Sequence, residues 1–89
     1  MTDLKRSEWN DDRTVHAAYD GIEIVRYNRA GRWYAEPTDG GKRTQLTIRK
    51  AAQLAVQGEQ TGQGTIRFHL PGGDAFERHV IRTRAAVTV

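Results

Sequence analysis

Three histidines, His16, His69 and His79, are the side chains of this 89-residue chain best suited to moving a proton near neutral pH. His69 and His79 are ten residues apart, close enough to meet across a hairpin. A metal site would need a third and a fourth ligand, and no HxH, HExxH or paired-carboxylate spacing supplies them. Cysteine is absent, which excludes disulfides and thiolate metal sites. The single serine, Ser7, lies in no GxSxG elbow and has no acid–histidine pair beside it. Asp39-Gly40-Gly41-Lys42 and Pro71-Gly72-Gly73-Asp74 are glycine-rich, but neither has the length or the closing Lys-Ser/Thr of a phosphate-binding loop. They read as turns. The expectation is a non-catalytic protein with no metal and no cofactor.

Charge is the stronger signal. The formal net charge is +3, and it is unevenly spread. Residues 1–20 carry three basic side chains against five acidic ones, whereas residues 21–89 carry eleven against six. Arginine outnumbers lysine eleven to three, and its planar fork suits phosphate and carboxylate. The same bias also follows from a GC-rich genome. Seven cations fall between positions 26 and 50: Arg26, Arg29, Arg32, Lys42, Arg43, Arg49 and Lys50. Arg49 and Lys50 occupy the first turn of an expected helix, where the macrodipole favours acids. Tyr27, Trp33 and Tyr34 interleave with these cations, as in surfaces that stack bases or grip a backbone. Alternatively, the aromatic rings form a core and the arginine stems cover the outside of a sheet.

The elements that must position these residues follow from period and punctuation. Thr14–Tyr19 and Ile22–Tyr27 flank Asp20-Gly21, a two-residue link whose residues accept positive φ. Asn28-Arg29-Ala30-Gly31 predicts a second hairpin into Arg32–Glu36, and Pro37 ends that strand. Thr38–Arg43 reads as loop. Thr47 is an N-cap and Gly58 a C′ glycine for a helix over Ile48–Gln57. Ile48, Ala51, Ala52, Leu54, Ala55 and Val56 fall on its apolar arc; Arg49, Lys50, Gln53 and Gln57 fall opposite. Thr65–Leu70 alternates as a strand, and Ala75–Arg84 reads as its return across the Pro71–Asp74 turn. A symmetric turn sets Arg67 against Arg78. A loop one residue longer sets Leu70 by Phe76, Ile66 by Val80 and His69 by Glu77, and is preferred for its apolar pairing.

The expected fold is therefore α+β, an antiparallel sheet in β-β-β-α-β-β order with one amphipathic helix packed on one face. Residues 13–89 form its single domain. Residues 1–12, with Leu4 and Trp9 in a charged background, form an arm that is either a short helix or disordered. That amino end lacks the apolar core of a secretory signal, and no stretch nears the roughly 20 apolar residues that span a bilayer. A cytoplasmic protein without a membrane partner is expected.

The three-strand meander followed by a helix is similar in outline to the arm-binding domains of tyrosine integrases, over about half the chain. The short, arginine-rich, motif-free chain also resembles the small accessory proteins of actinobacteria and their phages. That resemblance implies binding to DNA or to one host protein. The leading expectation is nucleic-acid (DNA) binding through a basic hairpin and helix surface formed by Arg26, Arg29, Arg32, Lys42, Arg43, Arg49, Lys50 and Tyr34. The alternative is a protein-interaction module that forms a homodimer through a sheet edge, or modulates a host protein.

Overall fold

The computed structural model describes residues 12–87. Their order is β1 (Arg13–Tyr19), β2 (Ile22–Tyr27), β3 (Arg32–Pro37), β4 (Thr44–Leu46), α1 (Ile48–Gln60), β5 (Gly64–Ile66) and α2 (Asp74–Val87). The five strands make one antiparallel sheet in the order β4-β3-β2-β1-β5, and the fold is α+β. Residues 1–11, most of the expected arm, and the last two residues lie outside the described residues. No described helix is long and apolar enough to cross a membrane.

The meander forms as its turns dictate. Asp20 and Gly21 adopt φ of 46° and 74°, the left-handed pair that a two-residue hairpin requires. The second hairpin closes at Gly31, whose amide donates to the Tyr27 carbonyl at 2.7 Å. The expected order is corrected in three places. Thr44–Leu46, passed over by the sequence reading, is a fourth strand that pairs with β3 through Trp33 and Leu46. Gly58 does not stop α1; it is buried inside a helix that runs on to Gln60 and is capped by Thr61. Ala75–Arg84 is no strand but most of a second helix. Its first turn carries Asp74 and Glu77, acids that complement the dipole, and Phe76 and Val80 stack one turn apart on its buried side. The preceding strand is shorter than the expected Thr65–Leu70 and ends at Ile66. Beyond it His69 takes φ of 64°, and its amide donates 2.6 Å to the Glu77 carboxylate.

The β4 and β5 strands run the same way at opposite edges, so α1 is a crossover connection over the whole sheet. Four strand spacings come to roughly 19 Å, and thirteen helical residues span about 20 Å. The helix is just long enough to cross. Its small side chains, Ala51, Ala52 and Ala55, let it lie close on Ala17, Ile24 and Trp33, with Val56, Phe76 and Val80 completing the core. Arg49, Lys50, Gln53 and Gln57 face outward as expected. On the reverse face of the sheet, Val15, Val25, Tyr27 and Tyr34 form a second, smaller cluster.

The closest approach is at the far end of α1. A Cβ on Gly58 would sit 2.4 Å from Tyr19 Cβ and 2.5 Å from its Cγ. Gly64 in β5 is equally confined, with Gly58 backbone 2.6 Å from where its Cβ would be. Replacing Gly58→Ala is therefore expected to cost about 1–3 kcal/mol, although alanine is the better helix former. Denaturant melts of the two proteins measure this, and an unchanged or higher midpoint would show that the helix can move away.

Candidate nucleic-acid interface

A β-bulge between Val15 and Ala17 sets the geometry of the helix-covered face. It turns the His16 ring inward against Trp33 from β3 and Phe76 from α2, with centroids 4.7 and 5.5 Å away. Trp33 and Phe76 are themselves nearly parallel, 18° apart in plane and 4.9 Å between centroids. His16 is fully buried, and neither ring nitrogen has a hydrogen-bond partner among the described residues. Burial lowers its pKa to about 4, helped by Arg26 and Arg67 and opposed by Glu77. At neutral pH it is a neutral, core-forming ring. Gly73 closes the nest, since a Cβ there would lie 3.0 Å from His16 Cε1.

This nest fixes the turn before α2 over the sheet. Gly72 lies directly under the Arg26 guanidinium, where a Cβ would come within 2.6 Å of Nη1. The Arg26 Nη1 also donates to Asn28 Oδ1 at 2.9 Å, and Asn28 Nδ2 donates to Thr14 Oγ1 at 2.9 Å. Arg26 is thus a held cation rather than a free one. Beside it opens a cleft of about 450 Å³, reached by Arg32, with Trp33 in its wall and Thr47, Ile48 and Ala75 around it. No carboxylate lines it.

The amino ends of both helices meet this cleft, so α1 and α2 run side by side in the same sense, joined at their far ends by Arg84 and Glu59. They differ at the near end. The first turn of α2 has its own acids, whereas that of α1 has none. Thr47 Oγ1 accepts from the Lys50 amide at 3.1 Å, and Arg49 and Lys50 project to solvent. A second groove, about 430 Å³, lies between the helices and is lined by Arg49, Gln53, His79, Arg82, Thr83 and Ala86.

The cations singled out in the sequence therefore part company. Arg26, Arg32, Arg49 and Lys50 gather around the amino end of α1, and Arg29 is exposed at the tip of the adjoining hairpin. Lys42 is exposed in the loop before β4. Arg43 and Tyr34 are elsewhere. Arg43 is buried on the reverse face, its guanidinium 3.8 Å from the Tyr34 ring centre and 5.4 Å from that of Tyr27. Tyr34 is 3% exposed and Trp33 5%, so neither presents a ring face for a base. Nearby, the Tyr27 hydroxyl donates to the Glu36 carboxylate, which Arg13 reaches at 3.1 Å. Burial, with that hydrogen bond, pushes the Tyr27 phenol up to about 12. Arg82 is the residue that the sequence reading missed. Its signal was present in Asp74 and Glu77 three apart and in Phe76 and Val80 four apart, a helical spacing.

No family model, curated protein or solved structure matches the chain significantly. The surface must be read from its own chemistry. Among the described residues no three metal-binding side chains cluster: His16 is sealed in the core, His69 is exposed, and His79 faces the helix groove.

The buried imidazole gives the fold an acid-sensitive point. Its pKa is lower in the fold than in the unfolded chain, so the unfolded state takes up the proton first. Stability is full above about pH 6.5 and is lost as pH falls toward 4, by at most roughly 3 kcal/mol from this group. Thermal midpoints across this range are expected to fall less in His16→Leu than in the native protein. Parallel profiles would mean that His16 stays solvated.

Proposed function

We propose that the protein binds nucleic acid through its phosphate backbone, with Arg26 at the centre of the contact. The observation that supports this reading is the carboxylate-free cleft that joins Arg26 and Arg32 to the acid-free amino end of α1. Oriented amides, a held guanidinium and exposed cations on either side are the components of a phosphate seat. Arg29, at the hairpin tip, and Lys50 extend the positive surface beyond it, whereas Lys42 lies before the opposite end of β4. The buried aromatic rings take no part, and the contact carries little sequence information of its own.

A second reading, a protein-interaction module, is favoured by Ile81 and Val87 on α2, which are 60% and 51% exposed. The edge strands β4 and β5, three residues each, are short for pairing with another chain. Sedimentation equilibrium tests the homodimer form of this reading. A dimer abolished by Ile81→Glu supports it, and a monomer at every concentration removes it.

Backbone binding makes a sharper prediction. Fluorescence anisotropy with a labelled mixed-sequence duplex of about twenty base pairs should show affinity falling tenfold or more between about 50 and 200 mM salt. Arg26→Gln should weaken binding at every salt concentration and flatten the slope by about one. A folded protein that leaves the duplex unbound at low salt overturns the reading.

A further inference from the structure

Resting on the backbone reading above, we propose that the groove between α1 and α2 is a second phosphate seat, and that the ligand is a duplex whose strand crosses the first turn of α1. The groove is lined by Arg49, His79 and Arg82, with Gln53 and Thr83 as polar neighbours and no carboxylate. Arg49 belongs to the same helical turn as Ile48, and Thr47 just before it joins Ile48 in lining the Arg26 cleft. The two openings thus flank one turn of one helix. A single small anion fills one of them. A chain of evenly spaced phosphates reaches both.

The dimensions agree with this. Opposite flanks of an α-helix are about 10–12 Å apart with side chains included. A duplex strand carries one phosphate per about 3.4 Å of axis, and more than that along its winding path, so the span takes in roughly two to three consecutive phosphates. The duplex is favoured over a single strand because single-strand binding draws much of its energy from bases stacked on exposed aromatic rings. Trp33, 5% exposed, is the one Phe, Tyr or Trp ring among the described residues that lines either opening, which leaves charge and spacing as the means of recognition there. A duplex arrives with its phosphates already spaced, so little further ordering is needed on binding.

The test uses the full chain, its variants Arg82→Gln, Arg82→Glu and Arg26→Gln, and the double variant of Arg26→Gln with Arg82→Gln, titrated with duplex, with single strand of the same sequence, and with inorganic phosphate. Circular dichroism and thermal midpoints establish that each variant is folded; Arg82 is exposed, so its loss should not unfold the protein. Arg82→Gln is expected to weaken duplex binding about threefold to tenfold and to lower the salt slope by about one, with Arg82→Glu weaker still. Its effect should add to that of Arg26→Gln, because each contacts a different phosphate. Inorganic phosphate should bind far more weakly than duplex. Native duplex affinity and slope in both Arg82 variants, with Arg26→Gln impaired, overturn the second seat and leave the backbone reading standing. Single strand bound more tightly than duplex overturns the duplex assignment. Failure of the native protein to bind any nucleic acid removes both readings together.

Discussion

The packing of Phe76 against the touching rings of His16 and Trp33 is the interaction on which the rest of the molecule depends. The α2 helix meets the sheet chiefly through this one ring, with Val80 beside it, while its longer contact is with α1. The bulge in β1 makes the nest possible by bringing His16 and Ala17 in succession to the helix-covered face, where strict alternation would have sent one of them to the reverse face. The ring pairs contribute about 0.5–1.5 kcal/mol each beyond area burial. In return the core contains an imidazole whose nitrogens are unpartnered among the described residues, a cost of about 1–3 kcal/mol for a buried polar group. Placing the turn before α2 over Arg26 follows directly. Gly72 and Gly73 have no side chain because one lies on a guanidinium and the other on the histidine.

The electrostatics of α1 make sense only with the second helix in view. Both of its ends carry charge of the unfavourable sign: Arg49 and Lys50 at the amino end, Glu59 at the carboxyl end. The carboxyl end is answered within the fold, since Arg84 donates to Glu59 through Nε at 2.8 Å and through a terminal nitrogen. The amino end of α1 has no acid in its first turn, whereas that of α2 beside it is answered by Asp74 and Glu77. Arg49 and Lys50 against the α1 dipole therefore oppose folding by a few tenths of a kcal/mol each. A bound anion would reverse the sign of that term, which is the physical argument for the proposed phosphate contact there.

Most of the sheet was legible because its signals are local. Asp20-Gly21, Gly31 and Pro37 each fix a turn or an end through the conformation of one or two residues. The α1 core face was equally plain from its apolar arc. What failed was the segment after Ile66, where local signals conflict. Pro71-Gly72-Gly73-Asp74 looks like a hairpin turn, and Thr65–Leu70 alternates in the manner of a strand. Both are overruled at long range: β5 pairs with β1, and Phe76 is drawn into the nest around His16. Gly58 misled for a similar reason. A glycine near a helix end suggests a stop, but here its missing Cβ accommodates Tyr19, a contact invisible without the topology.

The interleaving of cations and aromatic residues between positions 26 and 50 shows how one pattern can divide between two faces. Alternation along β2 and β3 sends Arg26 and Trp33 to the helix-covered face, where they are cross-strand partners. It sends Tyr27 and Tyr34 to the other, where their rings meet edge to face, 5.4 Å apart at 88°. Arg43 closes over that pair, and Arg13, Glu36 and the Tyr27 hydroxyl complete a network of charges and hydrogen bonds. The two tyrosines of the pattern therefore stabilise the reverse face, while Arg26, Arg32, Arg49 and Lys50 surround the amino end of α1. Among the described residues no exposed Phe, Tyr or Trp ring lines the two openings there, so the proposed contact would depend on charge spacing rather than base identity. The pattern that suggested base stacking thus divides, once folded, into a packed aromatic face and a cationic one, and only the cationic face enters the proposed backbone contact.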